Sequence, residues 1–313
     1  MKNVLITGST GFVGSNLIDY LFDKGMVIYV LNREDQENHK IKRSYIWDEF
    51  ESAELDHIDA IVHLAGKAHD IKNTSQPEDY FKINIGLTQV VFDWFLKSPI
   101  PDFIYFSSVK AVADKVDDVL YEDTNYAAKT PYGQSKQKAE EYILSQDMAN
   151  GKRVFILRPC MIHGPGNKGN LNLLYKFVSK KVPYPLAAFK NRRSFLSIDN
   201  LTFVLAALIT NPTIQGGTYN LADDETLSTN AVITIIGEVS HIKSRLLNVP
   251  PAVIIALAKI GDILHLPLNS ERLKKLTESY VVDNTKIKKA LNLDNLPISS
   301  TEGLKSTIKS FQR

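Results

Sequence analysis

This sequence predicts an α/β fold: a doubly wound parallel sheet wrapped by helices, with a smaller lobe toward the C-terminus. Three observations carry that expectation. Short apolar runs alternate with helical patterns through the first two-thirds of the chain, as they do where crossover helices link parallel strands. The stretch Thr7-Gly8-Ser9-Thr10-Gly11-Phe12-Val13-Gly14 directly follows the first such run and opens a helix, the context in which spaced glycines carry meaning. After Arg158-Pro159 the texture changes, because Gly164, Pro165, Gly166, Gly169, Pro183 and Pro185 break the pattern into loops and short helices.

Taken in order, Val4-Leu5-Ile6 reads as the first strand. Apolar residues then recur at helical spacing at Phe12, Val13, Leu17, Tyr20 and Leu21, and Gly25 ends that helix. Val27 to Leu31 reads as the second strand. Ala60 to Leu64 and Phe103 to Phe106 are two further buried strands, joined by a long helix from about Glu78 to Leu96. A helix carrying Tyr132 and Lys136 leads into another strand, Val154 to Leu157. The expected division is a dinucleotide-binding domain over 1–165 and a smaller substrate-binding lobe over 166–313, with about 192–212 packing back on the first. Val249 to Leu264 is apolar but is interrupted by Pro250, Pro251, Lys259 and Asp262. That is too short to cross a membrane, and it reads as a packed helix. From Leu266 to Arg313 the chain is mixed helix and turn with many lysines on a solvated face.

Composition narrows the function classes. The 313 residues suffice for one large core, or one core with a smaller lobe. Hydrophobic residues at 44% and charged residues at 23% are ordinary for a globular protein, and the net charge of +2 gives no electrostatic footprint for nucleic acid. Cys160 is the only cysteine, which excludes intrachain disulfides and thiolate metal sites. The histidines are too dispersed to predict any metal site. The apolar run at the N-terminus stops at Thr7-Gly8, too short for a signal peptide, so a cytoplasmic location is expected.

The glycine turn has a specific physical reading. Gly8 permits the tight turn, Gly11 lets the backbone approach a pyrophosphate, and Gly14 lets the helix pack against the strand. The helix N-terminus then offers free N–H groups to the anion. At the end of the second strand, Leu31-Asn32-Arg33 places an uncharged residue and a cation where an acid would otherwise accept a bare 2′-hydroxyl. This suits a 2′-phosphate, so NAD(P)(H) is expected with a leaning to NADP(H). Tyr132 and Lys136, four residues apart, share one helix face. Bringing a phenol from about 10 to near 7 takes roughly 4 kcal/mol of preference for the phenolate. An adjacent ammonium in a site closed to water is its expected source.

Together, the Gly-x-x-Gly-x-x-Gly turn, His63-Leu64-Ala65-Gly66, Ser107-Ser108 and Tyr132-Gly133-Gln134-Ser135-Lys136 resemble an extended short-chain dehydrogenase/reductase. The chain is most similar to the nucleotide-sugar epimerase/dehydratase branch of that family, whose fold is of the Rossmann type, and the similarity covers essentially its whole length. Arg158-Pro159 followed by His163-Gly164-Pro165-Gly166 resembles that branch's Arg-Pro-x-x-x-Tyr-Gly-Pro-Gly stretch, with His163 in the tyrosine's place. A narrower resemblance is to 4-keto reductases acting on UDP-linked 6-deoxy-N-acetylhexosamines in surface-polysaccharide pathways. It rests on Ser107-Ser108-Val109-Lys110, Lys168-Gly169-Asn170, Asn191-Arg192-Arg193-Ser194 and Val282-Asp283-Asn284.

The resemblance implies a dinucleotide held by Gly8, Thr10, Gly11, Phe12 and Val13 of the turn, by Asn32 and Arg33, by Leu64, Ala65 and Gly66, and by Asn84, Ser107, Tyr132 and Lys136. It implies catalysis by Tyr132, Lys136 and Ser108, and a UDP-linked sugar bound by Ser108, Lys110, Tyr132, Asn170 and Arg193, with Arg272 also reaching the nucleotide. One departure stands out. The branch's catalytic Ser or Thr follows the serine pair by one position, where this chain has Val109, so Ser108 or Lys110 would supply that contact.

The favoured activity is reduction of a 4-keto nucleotide sugar, with 4-epimerisation as the alternative. Dehydration fits less well, because the branch's dehydratases carry an Asp-Glu pair where this chain has Val109-Lys110. A reading of another class is a non-catalytic dinucleotide-binding redox sensor, which would not need Tyr132 with Lys136. A homodimer is expected from the resemblance.

Overall fold

The computed structural model describes residues 1–68, 76–167, 170–264, 266 and 268–312. Its elements run β1 (Asn3–Thr7), α1 (Phe12–Asp23), β2 (Val27–Asn32), β3 (Ile41–Ile46), β4 (Ala60–His63), α2 (Pro77–Lys97), β5 (Asp102–Phe106), β6 (Val119–Leu120), α3 (Pro131–Leu144) and β7 (Arg153–Pro159). They continue with β8 (Met161–His163), α4 (Asn170–Ser179), β9 (Phe195–Ser197), α5 (Ile198–Thr210), β10 (Gly217–Leu221) and α6 (Thr229–Val239). The chain then closes with α7 (Pro251–Leu264), α8 (Ser270–Thr277), β11 (Val281–Val282), α9 (Thr285–Leu291) and α10 (Ser300–Ser310).

Seven strands form one sheet in the order β10-β7-β5-β4-β1-β2-β3, and every neighbouring pair is parallel. Alternate residues of one strand therefore enter opposite cores. Val4 and Ile6 join Leu17, Ile18, Leu205 and Leu221 on one face. Leu5 joins Phe92, Phe95, Phe103 and Tyr105 on the other. This two-sided burial is why the strands read as continuous apolar runs. Each such side chain removed from water contributes about 1.5–3 kcal/mol. Chain order reverses between β1 and β4, which opens a crevice beyond the C-terminal strand ends.

Two strands of this sheet escape the sequence pattern. β3, Ile-Lys-Arg-Ser-Tyr-Ile, is a sheet edge with only Tyr45 buried, so it carries no apolar run. β10, Gly-Thr-Tyr-Asn-Leu, completes the opposite edge against β7. α5 packs against α1, so both of these late segments lie with the first sheet. A third core gathers Leu171, Val178, Ile233, Ile236, Ile254, Leu273, Leu304 and Ile308 from α4, α6, α7, α8 and α10. Short parallel pairs, β8 with β9 and β6 with β11, link this lobe to the sheet.

The segment read as a packed helix does form α7, but only Ile254, Ala258 and Gly261 of it are buried. The apolar run overstates its packing, because a single stripe suffices to seat a helix on a neighbour. Among the described residues, no helix is long and apolar enough to cross a membrane.

Candidate active site

The crevice begins at the glycine turn. Gly8 has φ +72°, and a Cβ there would lie 2.7 Å from the Ala65 nitrogen, so the turn and the strand end after β4 approach too closely for a side chain. A Cβ at Gly14 would lie 2.5 Å from the Gly8 carbonyl oxygen, which explains the glycine in the first turn of α1. Gly11 is the exposed N-cap of that helix and makes no side-chain capping bond. The first-turn N–H groups therefore face the crevice without an intrinsic acceptor, as an anion site requires. Thr10 is exposed beside them, and Phe12 and Val13 are half-buried.

At the end of β2, Asn32 is buried and tied to the turn. Its Nδ2 donates to Ser9 Oγ at 2.8 Å and to Gln36 Oε1 at 3.0 Å. Arg33 is exposed beside it. Gln36, which pattern reasoning passed over, closes this corner by accepting from Ser9 Oγ at 2.6 Å.

Beyond β4, Leu64 and Ala65 are half-buried and Gly66 is exposed. A Cβ at Gly66 would meet Asn84 Oδ1 at 2.9 Å and Lys136 Nζ at 3.3 Å. Three residues far apart in sequence thus converge on one point. Asn84, on α2, accepts from the Lys67 N–H at 2.7 Å and donates to the Lys67 carbonyl at 3.1 Å and to Ser135 Oγ at 2.8 Å. It braces the strand end against α3. His63 is fully buried, within hydrogen-bonding distance of Thr7 and Thr88 at 2.8 and 3.2 Å. Burial and the nearby Lys136 charge push its pKa down to about 3, so it is neutral.

α3 starts at the Thr130 cap with Pro131 in its first turn, which places Tyr132 and Lys136 at the strand ends. Lys136 Nζ donates to the Phe106 carbonyl at 2.8 Å and lies 4.9 Å from the Tyr105 ring centre. Burial lowers its pKa to about 8, against an opposing pull from Glu140. Tyr132 packs edge-on to Tyr80 with ring centres 6.3 Å apart. Its pKa is raised, chiefly by burial, while a hydrogen bond with the Ser108 hydroxyl pulls it down. The expected lowering of the phenol by Lys136 is therefore not found. The ammonium is engaged by the Phe106 carbonyl, and desolvation of the phenol dominates.

Ser108 itself is buried and caps the turn after β5, accepting from the Lys110 N–H at 3.2 Å. It is the neighbour that pulls the Tyr132 pKa down against burial. Val109 is buried with a carbonyl that accepts from the Tyr280 hydroxyl at 3.2 Å. Ser107 points the other way and donates to Glu140. Glu140 also accepts from Tyr126 at 2.7 Å and from Arg158 Nη2 at 2.6 Å, and it is completely buried. Glu140 was missed in the sequence, although it lies one helical step beyond Lys136 on the same face.

On the opposite side, Lys110 Nζ donates to the Asp114 carbonyl at 2.7 Å and sits 4.3 Å from the Tyr280 ring centre. Burial lowers its pKa, and Arg193 is among the charges it feels. Arg193 is half-buried, with Nη1 donating to the Lys275 carbonyl of α8 at 2.7 Å. These two cations share one region between the sheet and the C-terminal lobe. Asn170 opens α4 and Arg272 is exposed in the first turn of α8. Lys168 and Gly169 lie outside the described residues. Among the described residues no cluster of His, Cys, Asp or Glu suits a metal ion, and Cys160 is a buried free thiol.

A parallel sheet with a glycine turn at its switch point, and a Tyr-x-x-x-Lys helix beside it, defines an extended short-chain dehydrogenase/reductase. The pattern of the NAD dependent epimerase/dehydratase family matches residues 4–222. The chain belongs to that family, and it is an enzyme, which sets aside the redox-sensor reading. It is 28% identical to the UDP-glucose 4-epimerase of Vibrio cholerae, across 99% of this chain and 95% of that one. It is 24% identical to the N-acetyl-alpha-D-glucosaminyl-diphospho-ditrans,octacis-undecaprenol 4-epimerase of Escherichia coli O157:H7, across 98% and 94%. Among solved structures it resembles MoeE5 in complex with UDP-glucuronic acid and NAD, with a TM-score of 0.75, 20% identity and 99% of both chains covered. That last likeness concerns the fold.

Proposed function

We propose that this enzyme interconverts the hydroxyl and keto states at C4 of a UDP-linked sugar, with C4 epimerisation as the net reaction. The observation that carries the reading is the close seating of the α3 N-terminus, with Tyr132 and Lys136, against the β5 end that carries Ser108 and Lys110: a Cβ at Gly133 would lie 2.4 Å from the Lys110 carbonyl oxygen, and Lys136 donates to the Phe106 carbonyl at 2.8 Å. Two relatives matched along nearly the whole chain are named as 4-epimerases, which moves the emphasis from net reduction to epimerisation.

The residues present fit a nicotinamide dinucleotide. The uncapped α1 N-terminus suits its pyrophosphate, and the point shared by Gly66, Asn84 and Lys136 has room for backbone approach but none for a side chain. Gly8, Thr10, Gly11, Phe12, Val13, Asn32, Arg33, Leu64, Ala65, Ser107 and Tyr132 complete the proposed contacts. When bound, the cofactor supplies hydride transfer at C4. Tyr132 gives or takes the proton at the C4 oxygen, and Ser108 hydrogen-bonds that oxygen and holds the phenol in line. Lys136 binds the ribose, with its ammonium held at the strand end by the Phe106 carbonyl. Lys110 and Arg193 hold the diphosphate, with Asn170 and Arg272 toward the nucleotide; the guanidinium fork matches phosphate oxygens. The working unit is proposed to be a cytoplasmic homodimer, which sedimentation velocity reads directly.

Net reduction of a 4-keto sugar is the second reading, and one observation favours it. The end of β2 presents Asn32 with no carboxylate and an exposed Arg33 beside it, a setting for the 2′-phosphate of NADPH, which a reductase consumes. One pair of assays separates the readings. Epimerisation converts UDP-glucose or UDP-N-acetylglucosamine to its C4 epimer, read by NMR, with no net change in cofactor absorbance. Reduction consumes NADPH in step with a UDP-4-keto-6-deoxy sugar. Failure of both assays defeats the proposal.

A further inference from the structure

α7 carries a second apolar face that the fold leaves uncovered. Ile254, Ala258 and Gly261 form the single buried stripe. Val253, Leu257, Ile260, Ile263 and Leu264 turn away from it and are 48, 49, 48, 76 and 62% exposed. The spacing 253, 257, 260 and 264 makes a continuous row about three turns long. No acid interrupts that row. Near it in sequence the chain is basic: from Ser240 to Leu268, Lys243, Arg245 and Lys259 outnumber Asp262, and beyond it Lys275 pairs with Glu271. Both acids are engaged, Asp262 by Ser270 at 2.9 and 2.5 Å and Glu271 by Lys275 at 2.6 Å.

We propose that this face of α7 docks on an anionic lipid bilayer, with the helix lying in the plane of the headgroups. The size of the face and its charge select this occupant. A stable protein interface uses about 20–30 residues a side, and five side chains in one row fall far short of that. A bilayer needs no complementary partner surface. A row one helix wide enters the headgroup boundary by about 5–10 Å, and the cations near it in sequence meet the negative surface of the leaflet. The 14-residue helix is too short to span the hydrocarbon core, so it lies on the membrane. The proposal stands on this surface and not on the reaction at C4.

Flotation of the full chain with vesicles of phosphatidylglycerol and phosphatidylethanolamine tests it, with phosphatidylcholine vesicles as the neutral comparison. The wild type should float with the anionic vesicles and much less with the neutral ones. Leu257→Ser with Ile260→Ser should lower the partition coefficient by about tenfold or more. Both side chains are half-exposed, so the thermal midpoint should stay at the wild-type value. Lys259→Glu should weaken binding to anionic vesicles and leave the neutral comparison unchanged. Three results overturn the proposal: a wild type that stays in solution with every vesicle, a double variant that floats like the wild type, or a dimer that the double variant dissociates. The last would assign the face to a second copy of the chain.

Discussion

Replacing Glu140 probes how the catalytic corner is held. Its buried carboxylate accepts from Arg158 Nε at 3.0 Å, Arg158 Nη2 at 2.6 Å and the Tyr126 hydroxyl at 2.7 Å, and also from Ser107. Glu140→Ala removes all of these acceptors together. Arg158, itself buried, is then left with the Glu122 carbonyl at 3.0 Å and the Tyr126 hydroxyl at 2.9 Å, neither of them charged. Breaking a buried ion pair from one side costs about 3–5 kcal/mol, because the remaining charge has no counterion in a medium that solvates it poorly. Urea denaturation should therefore show a loss of that size. Glu140→Leu combined with Arg158→Met should recover most of it, since no orphan charge remains. The electrostatics supply a second readout. Glu140 is the charge opposing the fall of the Lys136 pKa, so its removal should drive that pKa below about 8 and weaken dinucleotide binding at slightly alkaline pH. A Glu140→Ala loss below about 1 kcal/mol, the value of an exposed pair, would refute the reasoning.

Three further outcomes follow from the same geometry. Tyr132→Phe should lower turnover by about 10²–10⁴-fold while calorimetry finds dinucleotide affinity nearly intact; more than half the wild-type rate would remove Tyr132 from the proton-transfer role. Burial lowers the Lys136 pKa from 10.5 to about 8, so its ammonium predominates below that pH and is lost as pH rises through it. Dinucleotide affinity should weaken across that window, and Lys136→Arg should flatten the profile; an identical profile in the variant counts against the ammonium as the titrating group. Arg193→Ala should weaken UDP binding about 10–100-fold, as expected for one charge-assisted hydrogen bond, and spare the dinucleotide; equal UDP dissociation constants would leave Arg193 as a structural contact to α8.

The sheet and the glycine turn were legible in the chain because their determinants are local. Val4 to Ile6, Ala60 to His63 and Phe103 to Tyr105 are buried on both faces, so each strand announces itself by its own residues. Gly8 and Gly14 stand where a Cβ would strike backbone already specified by neighbouring sequence. Tyr132 and Lys136 could be placed on one helix from their spacing alone. β3 and β10 were not legible, because an edge strand takes its order from the strand beside it and needs no apolar signal of its own.

The sequence by itself determined which groups could do chemistry, and tertiary structure decided what each of them feels. A four-residue spacing predicted an ammonium lowering a phenol, yet the Phe106 carbonyl engages Lys136 and burial raises Tyr132. Sequence left Ser108 and Lys110 as alternatives, and only the fold shows that Ser108 is the neighbour pulling the Tyr132 pKa down while Lys110 Nζ is engaged by the Asp114 carbonyl. The apolar character of α7 was evident in the sequence, but which of its faces is covered was not. The physical reason is common to these cases. Composition and period are properties of a segment, whereas a pKa, a hydrogen-bond partner and a solvent-facing surface depend on groups brought in from elsewhere along the chain.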